Sequence, residues 1–225
     1  EEKVTLYRKH PLMGWIGIYL DEICGGRFDF SDMEDFRHLK YTYQVPDTPR
    51  ICYNEVALPQ QLQCRYVRYK AMEWKNTNIG ELLFWGGKTR YYPETVKGAP
   101  AENPVNVQER MFDDDPLTYY STRLPGATLL MDFGKQVEMD RFIFIPRNDD
   151  NFIRIGDTYE LYYHDGRNGW VSLGRKTASA PELVYDNMPR GALFHLRCLT
   201  RGEEEQVFHI KDGKQVFISN LSYIR

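Results

Sequence analysis

One stretch, Met139 to Leu173, constrains the fold more than any other part of the chain. It reads MDRFIFIPRNDDNFIRIGDTYELYYHDGRNGWVSL, a strand, a polar loop, a strand, a tight turn and a strand. Arg141 to Ile145 is an apolar run of β-branched and aromatic residues, stopped by Pro146. Arg147 to Asn151 then places five polar residues in a row, RNDDN. Alternation resumes at Asp157, with Tyr159, Leu161 and Tyr163 on one face and Thr158, Glu160, Tyr162 and His164 on the other. Asp165-Gly166 and Asn168-Gly169 supply turn chemistry before Trp170. A buried strand that delivers a charged loop to one end of a sheet is how a β-sandwich presents a binding site.

Composition agrees with an all-β reading. The chain has 225 residues, room for one large or two modest domains. Aromatic residues make up 14%, which favours strands. A net charge of -3 argues against a nucleic-acid partner, which requires a basic face. No run of 18 apolar residues occurs, so no transmembrane segment is expected. No signal peptide stands at Glu1, so an exported protein would have had that segment removed. Of the four cysteines, Cys52 and Cys64 flank a turn-like passage and could meet across a hairpin, while Cys24 and Cys198 lie far off. No CxxC occurs, and the expectation is buried thiols with no zinc site.

Taken in order, the chain opens with a strand at Val4–Tyr7. Met13 to Ile23 fits either a helix face, with Trp15, Ile18 and Leu20, or a short buried strand. Strand character returns from Arg27 to Tyr43, at Arg65–Tyr69 and at Ile79–Trp85, and Gly86-Gly87 closes that segment. Lys88 to Gln108 is rich in Pro and reads as an inter-domain linker. Thr200 to Glu205 reads as a polar turn, and Gln206 to Ile218 as a hairpin around Asp212-Gly213. Pattern alignment sets Val4–Pro11 against Phe142–Arg147 and Arg27–Leu39 against Tyr159–Leu173, with Phe36 and Trp170 as matching core aromatics. The expected architecture is therefore tandem antiparallel β-sandwiches, residues 1–87 and 88–225, the first shortened or lacking its opening strands.

Two stretches carry binding chemistry. Arg147, Asn148, Asp149, Asp150 and Asn151 combine donors and acceptors able to grip vicinal hydroxyls. The plainer reading is that the amides and carboxylates cap and solubilise a loop, with Arg147 paired to Asp149 or Asp157. Trp74, in a polar loop, can stack on a sugar face or pack into a domain seam, where Tyr91 and Tyr92 are also expected. Asp113 to Thr118 offers three carboxylates and a hydroxyl, hard oxygen donors that suit Ca2+, or else a solvated turn. Catalysis finds no footing. The five histidines stand alone, with His195 and His209 inside apolar strands, and no HExxH, GxSxG or P-loop occurs.

The second half resembles the discoidin, or coagulation-factor type C, family of galactose-binding-like jelly rolls. Phe112 to Tyr120 (FDDDPLTYY) is similar to that family's FDGD loop, Leu130 to Gly134 (LMDFG) to its DLG strand, and Asp165-Gly166 before Trp170 to its DG…W hairpin. In the first half, Arg65 to Tyr69 and Asn78 to Phe84 (NIGELLF) resemble the family's closing strands. YELYYHDGRNGWVSLGR and LRCLTRGEEEQVF are closer to a bacterial subgroup found behind enzyme domains in secreted or surface-lipoprotein polypeptides. The resemblance implies a structural calcium held by Asp113, Asp115 and Thr118. Two departures stand out: the family's Gly is Asp114, and its closing Glu, present at Glu81, is replaced by Gln215 in the second half. It further implies a non-catalytic carbohydrate-binding module of an exported bacterial protein, extracytoplasmic, periplasmic or at the cell surface, with a removed lipid-anchored leader. Its partners would be a glycan or glycoconjugate and a neighbouring enzyme domain. The alternative is a structural or protein-interaction module without a sugar site.

Overall fold

The computed structural model describes residues 2–12, 15–202 and 206–218. Glu203 to Glu205, part of the expected polar turn, lie outside the described residues. The fold is all-β, built of antiparallel sheets in sandwich-like layers. Strand β1 (Glu2–Leu6) is followed by helix α1 (Trp15–Ile23), β2 (Arg27–Ser31) and β3 (Tyr41–Gln44). Next come β4 (Asn54–Lys70), β5 (Thr77–Gly86), β6 (Thr89–Tyr91), β7 (Thr95–Gly98), a 3-10 turn at Gln108–Phe112, β8 (Tyr120–Thr122) and β9 (Thr128–Pro146). The chain ends in β10 (Thr158–His164), β11 (Trp170–Thr177), β12 (Leu183–Met188), β13 (Leu193–Cys198), β14 (Val207–Lys211) and β15 (Lys214–Phe217).

The chain divides into two compact units, but not at residues 87 and 88. One unit is Gly14–Asp150; the other joins Glu1–Met13 to Asn151–Arg225. The expected boundary falls inside a hairpin, because Gly86 faces Thr89 across the β5–β6 pair and Gly87 makes the turn at φ 56°. The supposed linker supplies β6 and β7 to the sheet of the larger unit. The expected internal repeat also fails, because β1 pairs with β12 whereas its proposed counterpart, the end of β9, pairs with β4 and β5.

In the larger unit, β4 and β9 run antiparallel over almost their whole length, from Asn54↔Phe144 to Lys70↔Thr128. Strands this long cannot stay flat, because sheets twist. Each is interrupted by a residue in the left-handed region, Gln61 (φ 57°) and Gly134 (φ 75°), and the register slips between Ala57 and Leu62 and between Cys64 and Tyr66. The sheet folds over at these bulges. One end carries β2, β3 and β7, and the other carries β5, β6 and β8. Phe142 sits at the centre, with ring centroids 4.9 Å from Phe28, 5.6 Å from Phe30, 5.7 Å from Tyr43 and 5.9 Å from Phe84. These are offset and edge contacts, the arrangements aromatic quadrupoles favour.

In the smaller unit, β11-β10-β13-β14-β15 form one sheet and β1-β12 the other. Val4, Leu6, Leu183 and Tyr185 share a core with Tyr159, Leu161, Phe194 and Phe208. Tyr159 and Leu161 are fully buried and Tyr163 packs against the same core, as expected, but Glu160 between them is buried too, so exposure does not alternate. The hairpin turn at Asp212-Gly213 also forms, both residues having positive φ (51° and 71°). Trp170, in contrast, is not a core residue. It is 43% exposed and packs edge-on against His164 and His195 on the other face. Phe36 is buried as expected, and all four cysteines are buried thiols outside any disulfide.

Candidate functional site

Helix α1 resolves the ambiguity for Trp15–Ile23, while Met13 and Gly14 lie outside the described residues. Trp15, Ile18, Tyr19 and Glu22 recur at helical spacing and form one wall of a cleft of about 400 Å3. The opposite wall comes from the sheet of the same unit. Asn78 on β5 and Ser121 on β8 are register partners, so their side chains stand side by side on the cleft floor. Asn78 donates from Nδ2 to Glu22, and Ser121 donates from Oγ to Glu102, whose other oxygen accepts from Arg123 Nε at 2.8 Å. Burial raises the Glu22 carboxyl above the ordinary carboxylate range. Glu102 is held below that range, chiefly by the Ser121 hydroxyl and then by Arg123. Trp15 is 69% exposed at the mouth. The sequence signal for this wall was present in the Trp15–Ile18–Tyr19–Glu22 spacing; its partners on β5 and β8 come from far along the chain.

Arg147 is the one member of RNDDN that lines the cleft. Its guanidinium lies between the rings of Tyr19 and Tyr119, 3.6 Å and 4.0 Å from their centroids, and its Nε donates to Asp149 Oδ1 at 3.0 Å. The rest of the motif does not form a ligand-gripping loop. Asn148 is 1% exposed; its Nδ2 donates to Pro116 O at 2.8 Å, and its Oδ1 accepts from Asp150 N–H at 2.9 Å. Asp149 and Asp150 take left-handed conformations (φ 46° and 65°), which short polar side chains tolerate. Asn151 belongs to the other unit and is fully buried. Its Oδ1 accepts from Lys9 N–H at 3.0 Å and His10 N–H at 2.7 Å, and its Nδ2 donates to His10 O at 3.0 Å. The two amides are internal brackets, satisfied by backbone groups as buried polar groups must be.

The acidic loop is drawn together differently from expectation. Asp113 accepts from the Thr118 hydroxyl at 2.7 Å and from Asp115 N–H at 3.0 Å. Asp115 Oδ1 accepts from Leu117 N–H at 3.0 Å, a turn-forming contact within the loop. Asp114 occupies the family's Gly position with φ 60°, and it accepts from Tyr92 Oη at 2.6 Å and Arg90 Nη2 at 3.3 Å. Glu81, from β5, completes the group. It is 1% exposed, and its carboxylate oxygens accept from no N–H or hydroxyl donor but face the Asp113 carboxyl. Burial, and then the facing Asp113 and Asp114, push its carboxyl up to about 9. Burial opposes ionisation of Asp113 as well, yet contact with Glu81, the Thr118 hydroxyl and Arg110 keeps it below its ordinary value. Among the described residues no group of three or more His, Cys, Asp and Glu side chains is disposed to hold a metal ion. What exists is a facing carboxyl pair, an arrangement that calls for a shared proton or a cation.

Trp74 lies in a second, shallower depression of about 250 Å3 in the larger unit, with Gly25, Arg27, Gln44, Lys70 and Met72. It too is 69% exposed. Among the described residues no helix is long and apolar enough to cross a membrane. No protein-family model, no curated protein and no solved structure matches the chain.

Proposed function

We propose that the chain is a non-catalytic carbohydrate-recognition module of the discoidin-like kind, with its sugar site in the cleft beside α1. One observation carries this reading. The cleft joins an aromatic wall, the exposed Trp15 and the half-buried Tyr19 that Arg147 covers, to a floor of amide, hydroxyl, carboxyl and guanidinium groups. Apolar sugar faces stack on the first, and vicinal hydroxyls pair with the second. Arg147 keeps the role given to it in the sequence; Asn148 and Asn151 are replaced by Asn78, Ser121 and Glu22. Both cleft carboxyls already have partners, Glu22 with Asn78 and Glu102 with Ser121 and Arg123, which supports recognition without acid–base chemistry.

The wider proposal is an extracytoplasmic module, attached to a larger bacterial protein and tethering it to glycans. A structural calcium belongs to the same reading, with Glu81 and Asp113 as carboxylate donors and the Thr118 hydroxyl beside them. All of these are oxygen ligands, as the ion prefers. When bound, the ion would neutralise the facing carboxylates and pin the loop to β5. A glycan array followed by affinity electrophoresis tests the site. The wild type should be retained by at least one glycan class, and Trp15→Ala should weaken retention about tenfold, equivalent to ~1.4 kcal/mol. Failure of the wild type to bind any glycan favours the structural-module alternative.

A further inference from the structure

We infer that the ligand is an extended oligosaccharide that engages two aromatic platforms, Trp15 and Trp74; this rests on the carbohydrate reading of the cleft. The turn Met72–Asn76 is a ridge between the two depressions. Trp74 lines one of them and Asn76 lines the other. The ridge is braced on both sides. Lys75 donates from Nζ to the carbonyls of Asp21 (2.8 Å) and Cys24 (3.2 Å), at the C-terminal end of α1. Its own carbonyl accepts from Gly126 N–H at 3.0 Å, and Gly126 lies against the Glu73 backbone. Lys75 N–H closes the turn onto Met72 O at 3.0 Å.

An exposed Trp on so constrained a turn is a fixed platform and loses little freedom when a ligand stacks on it. Gly25, just beyond α1, lines the Trp74 depression, whereas Trp15 opens the helix at its other end. At 1.5 Å per residue, α1 alone rises about 12 Å from Trp15 to Ile23, so the Trp15 wall and the depression lined by Gly25 and Trp74 lie toward opposite ends of the helix. One sugar ring cannot reach both, but a chain of several can. Arg27, Gln44 and Lys70 beside Trp74 provide donors for hydroxyls of the distal residues. Two linked contacts on one rigid ligand add in free energy, so affinity should rise with chain length.

The test uses the whole chain and length-graded oligosaccharides of glucose, N-acetylglucosamine, mannose, galactose and xylose, from monosaccharide to octasaccharide. Calorimetry or affinity electrophoresis reads the dissociation constant at each length. For the series that binds, affinity should increase about tenfold as the chain grows long enough to cross the ridge, a gain of one stacking contact. Trp74→Ala should remove that gain and leave the shortest ligands unaffected, whereas Trp15→Ala should weaken every length. Equal affinity at all lengths, or a length dependence that survives Trp74→Ala, overturns the inference and leaves the cleft as a single-sugar site. Absence of binding at any length overturns the carbohydrate reading itself, and the inference with it. Both tryptophans are largely exposed, so neither substitution threatens the fold.

Discussion

The Glu81 carboxyl allows a quantitative test of the proposed calcium. With no cation bound, its pKa rises from the ordinary 4.5 to about 9 on folding. The folded state therefore holds a proton that the unfolded chain gives up as pH passes 4.5. Stability from this group is complete below that point and is lost progressively up to about pH 9. Each pH unit in that window costs about 1.4 kcal/mol, so raising the pH from 5 to 7 should remove roughly 3 kcal/mol. The residue is 1% exposed, so solvent screening reduces this little. In a domain of this size the melting temperature should fall by roughly 10 °C. Calcium should remove the Glu81 part of the slope, because a bound cation would favour the ionised carboxylates of Glu81 and Asp113, and its apparent affinity should rise with pH. Asp113, Asp132 and Glu102 do not confuse the measurement. Their carboxyls are held low, so their stabilising contribution is present above the ordinary carboxylate range and is lost only as pH falls below it. The assay is a set of thermal scans from pH 5 to pH 8 in chelator and in excess calcium, for wild type and Glu81→Gln. Glu81→Gln should lose the Glu81 part of the slope and the calcium response, leaving the smaller slope of the same sign that the raised Glu22 carboxyl contributes. A wild-type slope that calcium leaves untouched, or that persists undiminished in Glu81→Gln, refutes the reasoning.

Two further outcomes are expected. Asn151→Ala strips the hydrogen-bond partners from Lys9 and His10, which should destabilise the smaller unit by about 1–3 kcal/mol. Hydrogen exchange should then show faster exchange of the β1 amides Val4 to Leu6, with β9 unchanged; equal protection in the variant would refute the bracket role. The Cys64 thiol is pushed up by burial to about 12, and burial raises Cys52 as well, so both should resist a thiol reagent at neutral pH until denaturant is added. Immediate stoichiometric labelling of the native protein would contradict their burial.

Local pattern was readable in the sequence, and long-range partnership was not. The shared face of Tyr159 and Leu161 and the turn at Asp212-Gly213 depend on neighbours a few residues away, so they appear as written. The division into units depends on Asn54 meeting Phe144 and on Val4 meeting Tyr185, pairings that no local signal encodes. The candidate site shows the same split. The sequence left Trp15, Ile18 and Leu20 open between a helix face and a short strand, and the structure settles on a helix whose Trp15, Ile18, Tyr19 and Glu22 share a face; Asn78 and Ser121 reach the cleft only through a cross-strand register. RNDDN looked like a binding loop because composition reports polarity and not direction. Asn148 and Asn151 turn inward to serve backbone groups, as any buried amide must. Glu81 and the acidic loop were assigned to different domains, and their meeting depended on the pairing of β5 with β8, the strand into which that loop leads.

The bracket at Asn151 also bears on the order of events during synthesis. The smaller unit is discontinuous: its first strand is made early, and β12, the partner of that strand, emerges only after the whole of the larger unit. The larger unit is continuous from Gly14 to Asp150 and can close its core while the remainder is still being translated. Because Lys9 and His10 are tied to Asn151, the chain departs from the smaller unit and re-enters it at neighbouring points. The larger unit is thus, in chain order, an insertion between the two segments of the smaller one. A gene fragment covering only residues 14–150 should yield a foldable protein, and the two flanking pieces should tolerate being rejoined by a short linker in its place.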